Sequence, residues 1–103
     1  MHLDRDETKM KREEHEKECI DKLGAPFTEV HIWLDEFAFV LRFKHRHKRH
    51  HKAGIEEARK LFGDLGAEAA KLHILADLAI EGYPRDEDLI PRDEKHYLEI
   101  GLF

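Results

Sequence analysis

Residues 35–62 read DEFAFVLRFKHRHKRHHKAGIEEARKLF. A stripe at alternating spacings of four and three runs through them: Phe37, Leu41, Lys44, Lys48, His51, Ile55, Ala58, Phe62. That period predicts one helix from Asp35 to Phe62, ended by Gly63 and about 42 Å long. Both ends of the stripe are apolar and its middle is not. The neighbouring stripe, Val40, Phe43, His47, His50, Gly54, also carries histidines at its centre. Two structures account for such an interruption. Either the helix projects past its neighbours and these side chains are solvated, or it lines a polar cavity.

The interruption coincides with a basic run, Arg42-Phe43-Lys44-His45-Arg46-His47-Lys48-Arg49-His50-His51-Lys52. It holds six Lys/Arg, no carboxylate and four of the nine histidines, in a chain whose net charge is −5. Residues 81–99 hold seven Asp/Glu against three Lys/Arg. An acidic chain with one basic segment does not resemble a general nucleic-acid coater. It fits a local anion or metal site, or a basic segment neutralised within the fold.

Strand signals are scarce: there is no Asn-Gly or Asp-Gly turn and no alternating β-branched run. A first helix is expected from Thr8 to Leu23, stopped by Gly24-Ala25-Pro26, with residues 1–7 frayed. Thr28 to Leu34 reads as a short turn or as the start of the long helix. Further helices are expected from Ala67 to Ile80, before Gly82 and Pro84, and from Pro91 to Ile100. Gly63-Asp64-Leu65-Gly66 reads as a helix-to-helix turn, and Ile100, Leu102 and Phe103 as an apolar end that docks. The expectation is an all-α bundle of about four helices with one long central helix, a single domain over residues 1–103. One cysteine, Cys19, excludes an internal disulfide and points to a reducing cytoplasm. No apolar run approaches the roughly 20 residues of a membrane span, and the first ten residues are charged, unlike a signal peptide.

Histidine is the side chain that most readily binds a metal or moves a proton at neutral pH. His73 and Asp77 are four residues apart and share a helix face, as do His31 and Asp35. His47 pairs with His51 and His50 at the same kind of spacing. Imidazoles and carboxylates together suit zinc, iron, manganese or nickel. The candidate ligands are His15, His50, His51, His73 and Asp77, with His31, Asp35 and His45 as supporting groups. Arg46 and Arg49 are candidates for clamping an anion in fork geometry. Other chemistries lack their residues. His15-Glu16-Lys17-Glu18-Cys19 ends in cysteine where a zinc protease has its second histidine. There is no Cys-x-x-Cys, no His-Asp dipeptide, no glycine-rich phosphate loop and no serine. Nucleophilic catalysis has no argued base.

Several of these residues together resemble a family of small, uncharacterised bacterial and phage helical proteins. The resemblance spans residues 15–91. It lies in His15 through Leu23-Gly24, His31-Ile32-Trp33-Leu34-Asp35, the stretch His45 to Ile55 against a pattern His-Arg-x-x-Arg-His-His-x-x-Gly-Ile, Phe62-Gly63, and His73-Ile74-Leu75-Ala76-Asp77-Leu78. It implies a helical domain whose histidines and aspartates belong to the family, and no known reaction.

Three functions follow as expectations. The first is a divalent transition-metal protein, extending to a metal-dependent hydrolase of an anionic, phosphorylated small molecule. The second is a module whose basic helix binds nucleic acid or an acidic partner. The third is a structural or regulatory homo-oligomer. None involves a membrane.

Overall fold

A computed structural model describes residues 12–37 and 46–100. Among these residues five helices follow in order: α1 (Arg12–Leu23), α2 (Thr28–Leu34), α3 (Arg46–Arg49), α4 (Lys52–Ile80) and α5 (Glu94–Ile100), with a 3₁₀ turn at Glu87–Leu89. No strand occurs among the described residues. The expected all-α class with one long central helix is what the chain adopts. The expected residues 1–7, His45 and the end Leu102-Phe103 lie outside the described residues.

The long helix is displaced from where the periodicity put it. It is α4, and the expected helix from Asp35 to Phe62 is interrupted. Asp35 caps α2, its N–H donating to the His31 carbonyl, and Glu36 donates to Trp33. At His51 the backbone is extended, with φ −155° and ψ 175°. The local reason is a competing set of hydrogen bonds. The first N–H groups of a helix have no partner within it. Here Lys52 donates to the Pro91 carbonyl and Ala53 to the Arg92 carbonyl, each at 2.8 Å. Gly54 donates to His51 Nδ1 at 2.9 Å, so that imidazole is the N-cap. Gly54 is also where α4 crosses the end of α3: a Cβ there would collide with the Arg49 carbonyl.

Gly63 was expected to end a helix. It does break helical geometry, with φ 87° and ψ −179°, but helix resumes at once. The expected turn over residues 63–66 is therefore a kink within α4. The last helix starts at Glu94 rather than Pro91, because the Pro91 and Arg92 carbonyls serve α4 instead. Asp93 caps it, its Oδ1 accepting from the His96 N–H.

α1 ends at Gly24, whose positive φ (89°) lets its N–H reach the Cys19 and Ile20 carbonyls. Phe27 also sits in the left-handed region (φ 54°). That conformation costs a non-glycine residue about 1 kcal/mol, and the ring offsets it by packing on the core. α1 and α2 pack on α4, around Cys19, Val30, Leu34, Ala58, Ala70 and Leu78. Small side chains on α4 let the helices come close, and one end of this layer is polar.

Gly54→Ala should destabilise the protein by about 1–3 kcal/mol, the usual cost of overpacking, because the obstructing atom is backbone. Thermal unfolding checks this, and an unchanged Tm would show that α3 and α4 do not meet so closely.

Candidate metal centre

α1, α2, α3 and α4 each deliver a side chain to one buried polar cluster. α1 brings His15, α2 brings His31, and the residue capping α2 is Asp35. α3 brings Arg46, and His50 follows it directly. α4 brings His73 and Asp77 on one face and Glu81 one turn on. Asp77, His15, His31, His50, His73 and Arg46 are all buried. Asp35 keeps 36% of its side chain exposed and marks the accessible side of the cluster.

Asp77 is the hub. Its Oδ1 lies 3.3 Å from His15 Nε2 and 3.7 Å from Arg46 Nη2. Its Oδ2 lies 3.4 Å from His50 Nδ1 and 3.4 Å from His73 Nε2. Asp35 Oδ1 is 3.4 Å from the same His73 nitrogen and 3.5 Å from His50 Nε2. His15 stacks on His73 with ring centroids 3.7 Å apart, and His50 meets His73 edge-on. Two groups could hold an ion: His15, His73 and Asp77, and Asp35, His50 and His73.

The hydrogen bonds order the tautomers. His31 Nε2 is 3.0 Å from the Pro26 carbonyl, which can only accept. Burial, aided by the charge of His73 and His15, lowers His31 to about 4, so it is neutral at pH 7. Its one proton is therefore on Nε2, and its Nδ1 accepts from His73 Nδ1–H at 2.9 Å. His73 is left with Nε2 facing the two carboxylates. That atom is fully buried, within ion-pair range of both, and makes no aligned hydrogen bond to a described residue.

Burial alone would lower His73, but Asp35 and Asp77 outweigh it and raise it to about 10. Burial would raise Asp77, and His73, with hydrogen bonding from His15, instead holds it well below the carboxylate range. Without a metal, a proton on His73 thus sits between two carboxylates, where a cation would sit. His15 is lowered by burial and by His73. His50 is lowered by burial to about 4 against the pull of Asp35. Cys19 Sγ approaches His31 Nε2 at 3.6 Å. Burial and then Glu18 and Glu16 push that thiol up to about 11, so it stays protonated and does not serve as a thiolate ligand.

The donor separations fit an ion. Tetrahedral coordination with bonds of about 2.0–2.1 Å separates its donors by about 3.3–3.4 Å. In the first group His73–Asp77 and His15–Asp77 stand at 3.4 and 3.3 Å, and in the second His73–Asp35 and His50–Asp35 stand at 3.4 and 3.5 Å.

The structure brings together His15, His50, His73 and Asp77, and adds Asp35 and His31 around them. It does not bring His51. Both nitrogens of His51 are used in the α3–α4 joint, Nδ1 by the Gly54 N–H and Nε2 by the Lys48 carbonyl. Arg46 and Arg49 do not present an open fork. Arg46 reaches Glu81 at 3.2 Å and flanks Asp77. Arg49 donates to the Trp33 carbonyl, pairs with Glu36 and stacks on the Trp33 and Phe37 rings. His47 and Lys48 meet Glu94. Much of the basic run is thus neutralised within the fold. Two members were undervalued in the sequence. Asp35 stood only as a supporting group, although its spacing to His31 was visible. Cys19 carried no signal beyond its place one turn after His15.

With this geometry in view, the chain is matched over residues 10–99 by the family described as Domain of unknown function (DUF6915). The chain belongs to that family. No curated protein and no solved structure matches it.

The buried imidazoles set an acid limit. His31 and His50 fall from an ordinary 6.5 to about 4 on folding. The unfolded chain therefore binds more protons between these values, and stability is lost as pH falls through that window, by about 2 kcal/mol for each at pH 5. His73 works the other way: its contribution is complete below 6.5 and is lost as pH rises towards about 10. Chelator-treated protein should have its highest Tm near pH 6.5 and lose about 10 °C or more by pH 5. A flat profile between pH 5 and 7 would contradict neutral burial of these two rings.

Proposed function

We propose that this domain binds one divalent transition-metal ion through His73, joined either by His15 and Asp77 or by Asp35 and His50. One observation carries the reading. His73 Nε2 is buried, faces two carboxylates at 3.4 Å, and forms no aligned hydrogen bond with either. Buried polar atoms are almost always satisfied, and an exception calls for an explanation such as an ion. The set of imidazoles and carboxylates suits zinc, iron, manganese or nickel, and the separations favour a tetrahedral, zinc-type ion. Stoichiometry follows from the shared ligand. Both candidate triads use His73, whose other nitrogen is taken by His31, so they are alternative seats for one ion.

A bound ion would supply Lewis acidity and lower the pKa of any water it held. Hydrolysis of an anionic, phosphorylated substrate is the catalytic extension of this reading, and the exposure of Asp35 supports it by leaving one side of the ion accessible. Arg49 lends it no anion clamp, being engaged by Trp33 and Glu36. A nucleic-acid role for residues 42–52 gains less support, since Arg46, His47, Lys48 and Arg49 all have acidic partners within the chain. The resemblance of residues 45–55 to a His-Arg-x-x-Arg-His-His-x-x-Gly-Ile pattern supports a shared architecture. In it Arg46, Arg49, His51 and Gly54 build the joint, Ile55 enters the core, and His50 faces the centre.

Untagged protein loaded with Zn²⁺ and desalted should retain about one ion per chain by elemental analysis. His73→Ala, which removes the ligand common to both groups, should retain less than a tenth of that while keeping its helical circular dichroism. Retention of no metal by the wild-type protein would refute the reading. His51→Ala should keep the ion yet lose about 1–2 kcal/mol of stability, because it removes a cap and not a donor.

A further inference from the structure

We infer that His31 is a positioning residue for this centre: anchored on the Pro26 carbonyl, it fixes the tautomer of His73 and commits that residue to presenting Nε2 to a single ion. The inference rests on the metal-binding reading and adds which residue orders the site and limits its capacity.

The argument starts at a backbone atom. The Pro26 carbonyl precedes α2 and can only accept, so it fixes a proton on His31 Nε2 at 3.0 Å. A His73 that gives Nε2 to an ion keeps its proton on Nδ1 and needs an acceptor beside it, and His31 lies fully buried against that nitrogen. Its Nδ1 therefore faces His73 as an acceptor, at 2.9 Å. The same bond does three things to His73. It keeps a proton on His73 Nδ1, makes Nε2 the nitrogen that gives up its proton to a cation, and holds the ring plane against rotation. His15, stacked on the opposite turn at 3.7 Å, limits rotation further. Metal-bound histidines almost always donate their second N–H to a carbonyl, carboxylate or similar group, which orients the ring and raises its basicity. Here the acceptor is a second imidazole, itself anchored on backbone, which makes a relay from Pro26 to His73.

The relay has a consequence for capacity. Without His31, His73 could turn or offer Nδ1, and the two triads could separate. With it, both triads depend on one lone pair.

Chelator-stripped, untagged full chain would be titrated with Co²⁺, read by visible absorption, and with Zn²⁺ by calorimetry. Wild type, His31→Ala and His31→Gln would be compared, with His73→Ala as the blank. Glutamine can repeat both contacts, its amide N–H donating to Pro26 and its carbonyl accepting from His73. The expected result is one ion per wild-type chain. His31→Ala should bind about 10–100-fold more weakly, the usual effect of removing such a partner, with an altered Co²⁺ absorption band. His31→Gln should recover most of the affinity and the wild-type band. Equal affinity and an unchanged band in His31→Ala would overturn the inference while leaving the metal reading intact. So would two tightly bound ions per wild-type chain, a measurement that needs no variant to fold. Wild type that binds neither Co²⁺ nor Zn²⁺ would overturn the metal reading itself.

Discussion

A buried carboxylate, Asp77, is the constraint on which this fold depends. Burying an unpaired charge costs several kcal/mol, and proteins either neutralise it or surround it with partners. Asp77 is surrounded. His15, His50, His73 and Arg46 each bring a nitrogen to within 3.7 Å of it. These four come from α1, α3 and its following residue, and α4. One anion thereby gathers elements that the apolar core alone holds loosely. The described core is small-sided, rich in alanine along α4. Removing the carboxylate would leave several buried donors without their acceptor, which is costlier than losing one contact.

The break at His50-His51 serves the same constraint. A continuous helix through residues 35–62 would distribute the basic run around a rod and carry several of its charges away from Asp77. Turning the chain at His51 puts Arg46 and His50 on the inner side and Lys48 on the outer. His51 itself satisfies the new helix start. Gly54 gives room for the Arg49 carbonyl, and the Pro91 and Arg92 carbonyls take the remaining free amides. That arrangement also binds the C-terminal segment to the centre of the fold. Arg49 is a strut between α3 and the end of α2, since one guanidinium meets a carbonyl, a carboxylate and two aromatic faces.

Much of this was legible in the sequence, and the illegible part has a physical cause. Helix formers, Gly24 and the absence of strand signals gave the all-α class. The i, i+4 spacing of His73 and Asp77 gave the nucleus of the site, because on a helix that spacing fixes proximity without tertiary knowledge. The anomaly at residues 44–51 was visible as polar residues on a core stripe. Its resolution as a joint was not, because the hydrogen bonds that break the helix come from Pro91 and Arg92, some forty residues away in sequence. His51 was assigned to the site for the same reason: spacing alone does not separate a cap from a ligand. Asp35 was undervalued because its partners, His50 and His73, lie on other elements.

The composition of this centre argues for a role beyond folding. A chain of 103 residues has little core to spare. Replacing a buried ionic cluster by apolar side chains of similar volume is often neutral or stabilising. A chain under selection for stability alone would thus have reason to lose three imidazoles that burial drives towards neutrality beside two carboxylates. It keeps them in an arrangement with buried nitrogens that complete no hydrogen bond, His15 Nδ1 and, between two anions, His73 Nε2. Places where local rules are broken while neighbouring packing is sound are where function is expected. The defect at His73 faces a partly exposed carboxylate, Asp35. A purely structural network would gain nothing from leaving that side open, whereas a site that exchanges a cation with its surroundings requires it.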